Sequence, residues 1–386
     1  MFDINKLKNV MHRFVDNGME TGAAAVVMKD GEEALRYSCG LADAEKGLPF
    51  KEDTICRAFS CSKVVTGVAV MQLLEKGLIS LEDRLEWFVP EFAGASYVRD
   101  GKRIAASRPL VLRDLLNMTS GIAYPGAPFE GADEMNTLWW ELEQSIRNGS
   151  SLTTREFAAR AGKCALMFDP GEQWLYGSSA DVLGAVVESV TGTRFGDYLK
   201  ENIFDPLGMK DTAFFVPEEK LGRLAVFYDG SGEGRKVLDW VNLCIFDQTS
   251  DPAFQSGGAG LFSTAEDYSK LGAALSNGSF KGERVLGRKT IDFLRQNALT
   301  PSQAKTFDWD ACKGYGYANL MRMVTDRNAA STLVSDGAFG WDGWSGTYIL
   351  NDPAERLAVV LFVQRAGAGT TALSRAVVNA VYSMLE

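Results

Sequence analysis

Residues 60–76 put Val64, Val65, Val68, Val70, Met71, Leu73 and Leu74 on nearly every side of a helix, which Gly77 then stops. A helix that is apolar all round has no face to offer to water, so it must be buried by the rest of the chain. Strands are predicted at 23–28 and 33–40, joined by a turn at Asp30-Gly31, and again at 316–323, 347–351 and 356–363. The turn Asn351-Asp352-Pro353-Ala354 joins the last two. Ile4, Leu7, Val10, Met11, Phe14 and Val15 recur at helical spacing at the start, and a closing helix over 371–385 carries Leu373, Val377, Val378, Val381 and Met384 on one face. From about 85 to 285 the signals are helices (111–118, 154–161, 179–190 and 265–276) and long loops. The pattern predicts a sheet assembled from both terminal segments, with a helical insertion between them.

Composition narrows the function. With 46% hydrophobic and 23% charged residues, the chain is not disordered. Its most apolar run, 357–363, is strand-sized, well below the ~18 residues of a membrane helix. The start, Met1-Phe2-Asp3-Ile4-Asn5-Lys6, lacks a signal peptide's apolar stretch, so a cytoplasmic protein is expected. A net charge of -10 without a Lys or Arg run argues against nucleic acid. Cys39, Cys56, Cys61, Cys164, Cys244 and Cys312 form no Cys-x-x-Cys pair, as expected of reduced thiols and not of a zinc site. The single histidine, His12, falls outside the apolar arc of the first helix, on a solvated face. That disfavours a Ser-His-Asp or Cys-His centre and a His-rich metal site. A hydrolase built on this chain needs another base.

Ser60-Cys61-Ser62-Lys63 offers one. Residues three apart share a helix face, so the Ser60 hydroxyl and the Lys63 amine can meet where the helix dipole favours a developing anion. Lowering the lysine from its usual pKa to near neutrality costs about 4 kcal/mol, which burial can supply. The same pattern recurs at Ser302-Gln303-Ala304-Lys305, but only Ser60 opens a buried helix; its other reading is a helix N-cap. A second candidate is Tyr176-Gly177-Ser178, after the Asp169-Pro170-Gly171 turn. Its double, Tyr317-Ala318-Asn319, lies within a strand-like alternation and reads as core. Neither a Gly-x-Ser-x-Gly elbow nor a phosphate-binding glycine loop is present.

Taken together, Ser60-x-x-Lys63 and Tyr176-x-Ser178 resemble the serine β-lactamase and DD-peptidase superfamily. Three further stretches are similar to its class C β-lactamase-like branch and family VIII esterases: Leu112-Arg113-Asp114-Leu115-Leu116-Asn117-Met118-Thr119-Ser120-Gly121, Gly257-Gly258-Ala259-Gly260-Leu261-Phe262-Ser263-Thr264 and Gly340-Trp341-Asp342-Gly343-Trp344-Ser345-Gly346-Thr347. The resemblance spans nearly the whole chain in the family's order. It implies a β-lactamase-like fold of class α/β plus α, an antiparallel sheet flanked by terminal helices with a large helical insertion. Residues 1–84 and 286–386 would form the α/β domain and 85–285 the helical one, with the site in the cleft between.

By the same resemblance Ser60 is the residue acylated, and Lys63 and Tyr176 move the proton, which of them is the base being left open. The oxyanion hole would use the backbone N–H groups of Ser60 and Trp344. Ser178, Trp341, Asp342, Gly343 and Tyr124 are the expected substrate contacts. Tyr124, Phe129, Trp139 and Trp140, read as lying in the long loops, are candidates for an apolar pocket wall, with core packing as the other reading of such aromatics. The implied activity is hydrolysis of small carboxylic esters through an acyl-enzyme. The alternatives are β-lactamase or D-amino-acid peptidase activity, or a non-catalytic binding protein. No cofactor, metal, nucleic acid or membrane partner is expected; the substrate is a small molecule, and the oligomeric state is left open. The third motif departs from the family's Lys-Thr-Gly or His-Thr-Gly: Trp341 and Asp342 stand where a cation would hold a substrate carboxylate. A carboxylate facing Asp342 would meet a repulsion of about 3 kcal/mol before screening, unless Arg365 turns inward to replace the cation. Cys61, about 100° round the helix from Ser60, reads as buried filler.

Overall fold

In the computed structural model, which describes residues 2–230, 235–238, 243 and 249–386, one sheet of eight antiparallel strands organises the chain. Its strands are β1 (Gly22–Lys29), β2 (Glu32–Asp43), β3 (Leu48–Pro49), β4 (Tyr315–Ala318), β5 (Met321–Val324), β6 (Phe339–Asp342), β7 (Tyr348–Asp352) and β8 (Leu357–Phe362). Their order, β4-β5-β6-β7-β8-β1-β2-β3, places the first strand beside the last, with Val26 opposite Val360. Alternation in β1 then divides the core. Ala23, Ala25 and Val27 face a layer made with α1 (Ile4–Val15) and α8 (Ala372–Tyr382), whereas Ala24, Val26 and Met28 face the larger core around α2 (Ser62–Glu75).

The α2 helix is enclosed as its composition requires: Ser62 through Leu73 are all buried. It packs between the sheet strands β5 and β6 and α6 (Ser179–Thr191), part of a helical segment that also holds α3 (Leu112–Leu116), α4 (Ala132–Arg147) and α5 (Thr154–Ala161). Beyond several short helical turns, the helix α7 (Ala265–Asn277) lies on β8, β1 and β7. The chain therefore returns to the sheet layer some twenty residues before the expected boundary at 285. Among the described residues, no helix is long and apolar enough to cross a membrane.

Two expectations need correction. Residues 316–323 are not one strand but the hairpin β4–β5, turning at Asn319 and Leu320, both with positive φ (53° and 67°). Leucine is a poor residue for such a turn. This one is held from outside, by Leu320 N–H on the Leu116 carbonyl (2.7 Å) and Asn319 N–H on Asn117 Oδ1 (3.3 Å). The stretch containing Trp139 and Trp140 is not a loop. It is the 16-residue helix α4, with Met135, Leu138, Trp139 and Leu142 buried at helical spacing and Trp140 61% exposed on the other side.

Candidate active site

Ser60 lies in a 3-10 turn, Phe59–Cys61, that leads directly into α2. Phe59 holds a φ of 45°, a left-handed conformation that costs a non-glycine residue about 1–2 kcal/mol. The residues just before it are stapled to the third motif. Ser345 Oγ donates to the Arg57 carbonyl and Thr347 Oγ1 to the Ala58 carbonyl, each at 2.7 Å, and the Trp344 and Phe59 rings meet at 5.4 Å. A Cβ on Gly343 would lie 2.3 Å from the Ala58 carbonyl oxygen, so only glycine allows this approach. Among the described residues, the Trp344 N–H has no protein acceptor.

Lys63 is fully buried one turn on. Its Nζ reaches Ser60 Oγ (3.2 Å), Tyr124 Oη (3.0 Å) and the Gly258 carbonyl (2.7 Å), and it stands 4.4 Å from the centre of the Tyr176 ring. Burial lowers its pKa to about 7, against the opposing pull of Asp181, Cys61 and Asp342. Tyr176 accepts a hydrogen bond from the Trp341 indole N–H (2.9 Å). Burial pushes its phenol well above the usual range, and hydrogen bonding to Ser60 and Trp341 offsets only part of that. The site thus joins a hydroxyl to an amine whose pKa burial lowers toward neutrality, beside a phenol whose pKa burial raises. Such an amine can take the hydroxyl's proton.

The structure brings Ser60, Lys63, Tyr176, Trp344 and Tyr124 together, but the expected substrate contacts are reassigned. Ser178 is fully buried, and its Oγ is engaged by the protein core: it donates to the Ala123 carbonyl (2.7 Å) and accepts from Trp139 Nε1 (3.2 Å). Trp139 is likewise core, behind Tyr124, while Phe129 packs on Phe168. Trp341 is 2% exposed and is engaged by Tyr176, and Gly343 serves the close approach just described. Tyr124 is not an apolar wall, since its hydroxyl is bonded to Lys63.

Asp342 requires the largest revision. It forms an ion pair with the buried Arg322 (2.7 Å), and Thr370 hydrogen-bonds to both. The negative charge expected to repel a substrate carboxylate is therefore neutralised. Arg365 does not turn inward, because Glu20 holds it at 2.9 and 3.0 Å.

Sequence reasoning missed Trp309. Its ring is 43% exposed and edges onto Tyr176 (5.1 Å) and Trp174 (5.2 Å), which makes it an open aromatic surface beside the centre. Of the alternative candidates, Ser302 is exposed in front of a short 3-10 turn, and Tyr317 is fully buried. His12 bonds to Asp16 and Tyr37 on the α1 side. Cys61 is buried with its thiol pushed up to about 12, and Cys39, Cys56, Cys164 and Cys312 are also free; Cys244 lies outside the described residues. Among the described residues no cluster of His, Cys, Asp and Glu could hold a metal ion.

Comparison with known proteins gives a consistent result. The sequence profile of the Beta-lactamase family matches residues 8–382. Esterase EstB of Burkholderia gladioli is 30% identical, over 94% of this chain and 91% of its own. Monacolin J acid methylbutanoyltransferase of Aspergillus terreus is 28% identical, over 72% of this chain and 66% of its own. Among solved structures, EstCE1, described as a hydrolase with promiscuous acyltransferase activity, superposes with a TM-score of 0.79 at 25% identity, over 98% of each chain.

Proposed function

The chain belongs to the Beta-lactamase family, and from that premise we propose that it cleaves small neutral carboxylic esters, as a family VIII-like esterase, through an acyl-enzyme formed on Ser60. It is a serine hydrolase with acyl-transfer chemistry. The observation that carries the finer reading is the contact between Lys63 Nζ and Ser60 Oγ at 3.2 Å, made by an amine whose pKa burial brings to about 7.

In this reading Lys63 takes the Ser60 proton as Oγ attacks the ester carbonyl carbon. The carbonyl oxygen becomes an oxyanion held by the Ser60 and Trp344 N–H groups. Collapse breaks the bond to the alcohol oxygen, which leaves with a proton delivered through the Tyr176 hydroxyl. Water, or a second alcohol, then attacks the acyl carbon by the reverse route and releases Ser60. Tyr176 acts as a relay and not as the first base, since burial keeps its phenol protonated.

Substrate preference follows from which cations are engaged. Arg322 is paired with Asp342 and Arg365 with Glu20, so a substrate carboxylate at the third motif gains no partner from either. Forgoing one charge-assisted hydrogen bond is worth about 1.5–3 kcal/mol, or roughly ten- to hundredfold. A neutral p-nitrophenyl butyrate should therefore exceed a cephalosporin in kcat/KM by at least about tenfold. Equal or better turnover of the cephalosporin would favour the β-lactamase alternative.

Trp309 gives the leaving group an aromatic surface. Trp309→Ala should raise KM for an aryl ester about tenfold with kcat little changed, because a ring contact binds ground state and transition state alike. Ethyl butyrate should be almost unaffected. An equal change for both esters would remove Trp309 from the binding site.

A further inference from the structure

Asp181, a buried acid close to this centre, takes no part in the steps above. It stands in the first turn of α6, with no exposed surface. Its Oδ1 accepts from Ser256 Oγ (2.5 Å) and Gly258 N–H (3.1 Å), and its buried Oδ2 has no hydrogen-bond partner among the described residues. It is not a helix cap: the Ser178 N–H, which a capping-box acid would accept, goes to the Ile122 carbonyl (3.1 Å). Asp181 instead reaches across to the turn of residues 256–260, which presents the Gly258 carbonyl to Lys63. A Cβ on Gly258 would lie 2.3 Å from Tyr124 Oη and 2.9 Å from Asp181 Oδ2. The carboxylate and the phenol thus flank Gly258, and Lys63 bonds to the carbonyl of that residue and to that phenol.

We propose that Asp181 is a positioning residue for Lys63: it clamps Gly258 against the amine and supplies the buried negative charge that sets the pH at which the amine becomes free. This rests on the reading of Lys63 as the acceptor of the Ser60 proton. The groups facing Lys63 are Ser60, Cys61, Tyr124, the Tyr176 ring and, at longer range, Asp342; those facing Asp181 are Lys63, Tyr124, Ser256 and the Gly258 N–H. Burial pushes the Asp181 carboxyl up, and Ser256, Lys63 and Gly258 pull it back. Its charge favours the Lys63 ammonium, which burial disfavours. Removing that charge leaves burial less opposed, so the amine is freed at lower pH.

Asp181→Asn keeps an oxygen for Gly258 and Ser256 while discarding the charge. The acid limb of kcat/KM against pH should move down by at least about half a unit, with the alkaline plateau within about threefold of wild type. Asp181→Ala, which also loses the clamp, should lower the plateau about tenfold. Should the asparagine variant fail to fold, Ser256→Ala keeps the carboxylate but removes a hydrogen bond that stabilises its charge, and its limb should move the same way by less. A limb that stays in place or moves up, in whichever variant is measured, overturns the proposal. Fluorophosphonate labelling of the same wild-type protein separates the two levels. An unlabelled Ser60 overturns the parent reading, whereas a labelled Ser60 with an unmoved limb overturns only the role of Asp181.

Discussion

Ser60→Ala is expected to reduce kcat for p-nitrophenyl butyrate by on the order of 10⁴ or more, while Ser302→Ala leaves it within about twofold. No neighbouring group replaces the lost hydroxyl. The Cys61 thiol, adjacent in sequence, is buried with its pKa near 12 and directs its sulfur to the Trp341 carbonyl (3.8 Å). Both Tyr124 and Tyr176 are held as protonated phenols by burial. On the proposed reading, what remains after the mutation is binding and the backbone N–H groups of positions 60 and 344, which would account for a low residual rate. Ser302 matches the same four-residue pattern without the buried helix behind it, so the pair of variants separates motif from setting. Equal losses in both would discard the assignment.

The second large effect is expected from Tyr176→Phe. The ring would keep its place under Lys63 and against Trp309 and Trp341, and only the hydroxyl would go. Losing a relay that both receives and returns a proton should cost about 10²–10⁴ in kcat. On the proposed reading the acid limb near pH 7 should persist, because Lys63, lowered by burial to about 7, is still present in the variant; the apparent value belongs to the coupled centre as a whole. Stability should fall by about 1–3 kcal/mol, since the Trp341 indole N–H loses its acceptor in a buried place. A plateau within a few-fold of wild type would make Tyr176 a spectator.

How much of this was legible in the sequence varies with the range of each interaction. The Ser60–Lys63 contact is local, three residues apart at the mouth of an apolar helix, and both the spacing and the setting could be read. The terminal strands read as short apolar runs and α2 as a helix apolar on every side, and the pairing of β1 with β8 followed from strands lying at both ends. The neighbours of Lys63 were not legible in the same way. Tyr124 is 61 residues away and Gly258 is 195, and nothing local to either marks a lysine partner. Asp342 was read as a free charge because Arg322 joins it only through the pairing of β5 and β6. Ser178 matched its motif position, yet its side chain is turned to Ala123 and Trp139. The α4 helix did carry a readable signal, Met135, Leu138, Trp139 and Leu142, which its conspicuous tryptophans obscured.

Mass spectrometry after reaction with a fluorophosphonate tests the central claim most directly. The account predicts one adduct per chain, on the peptide containing Ser60, formed faster as pH rises through about 7 with the loss of the Lys63 proton. An adduct on Cys61 or Ser302, or an intact protein that gains no mass at any pH, would contradict it.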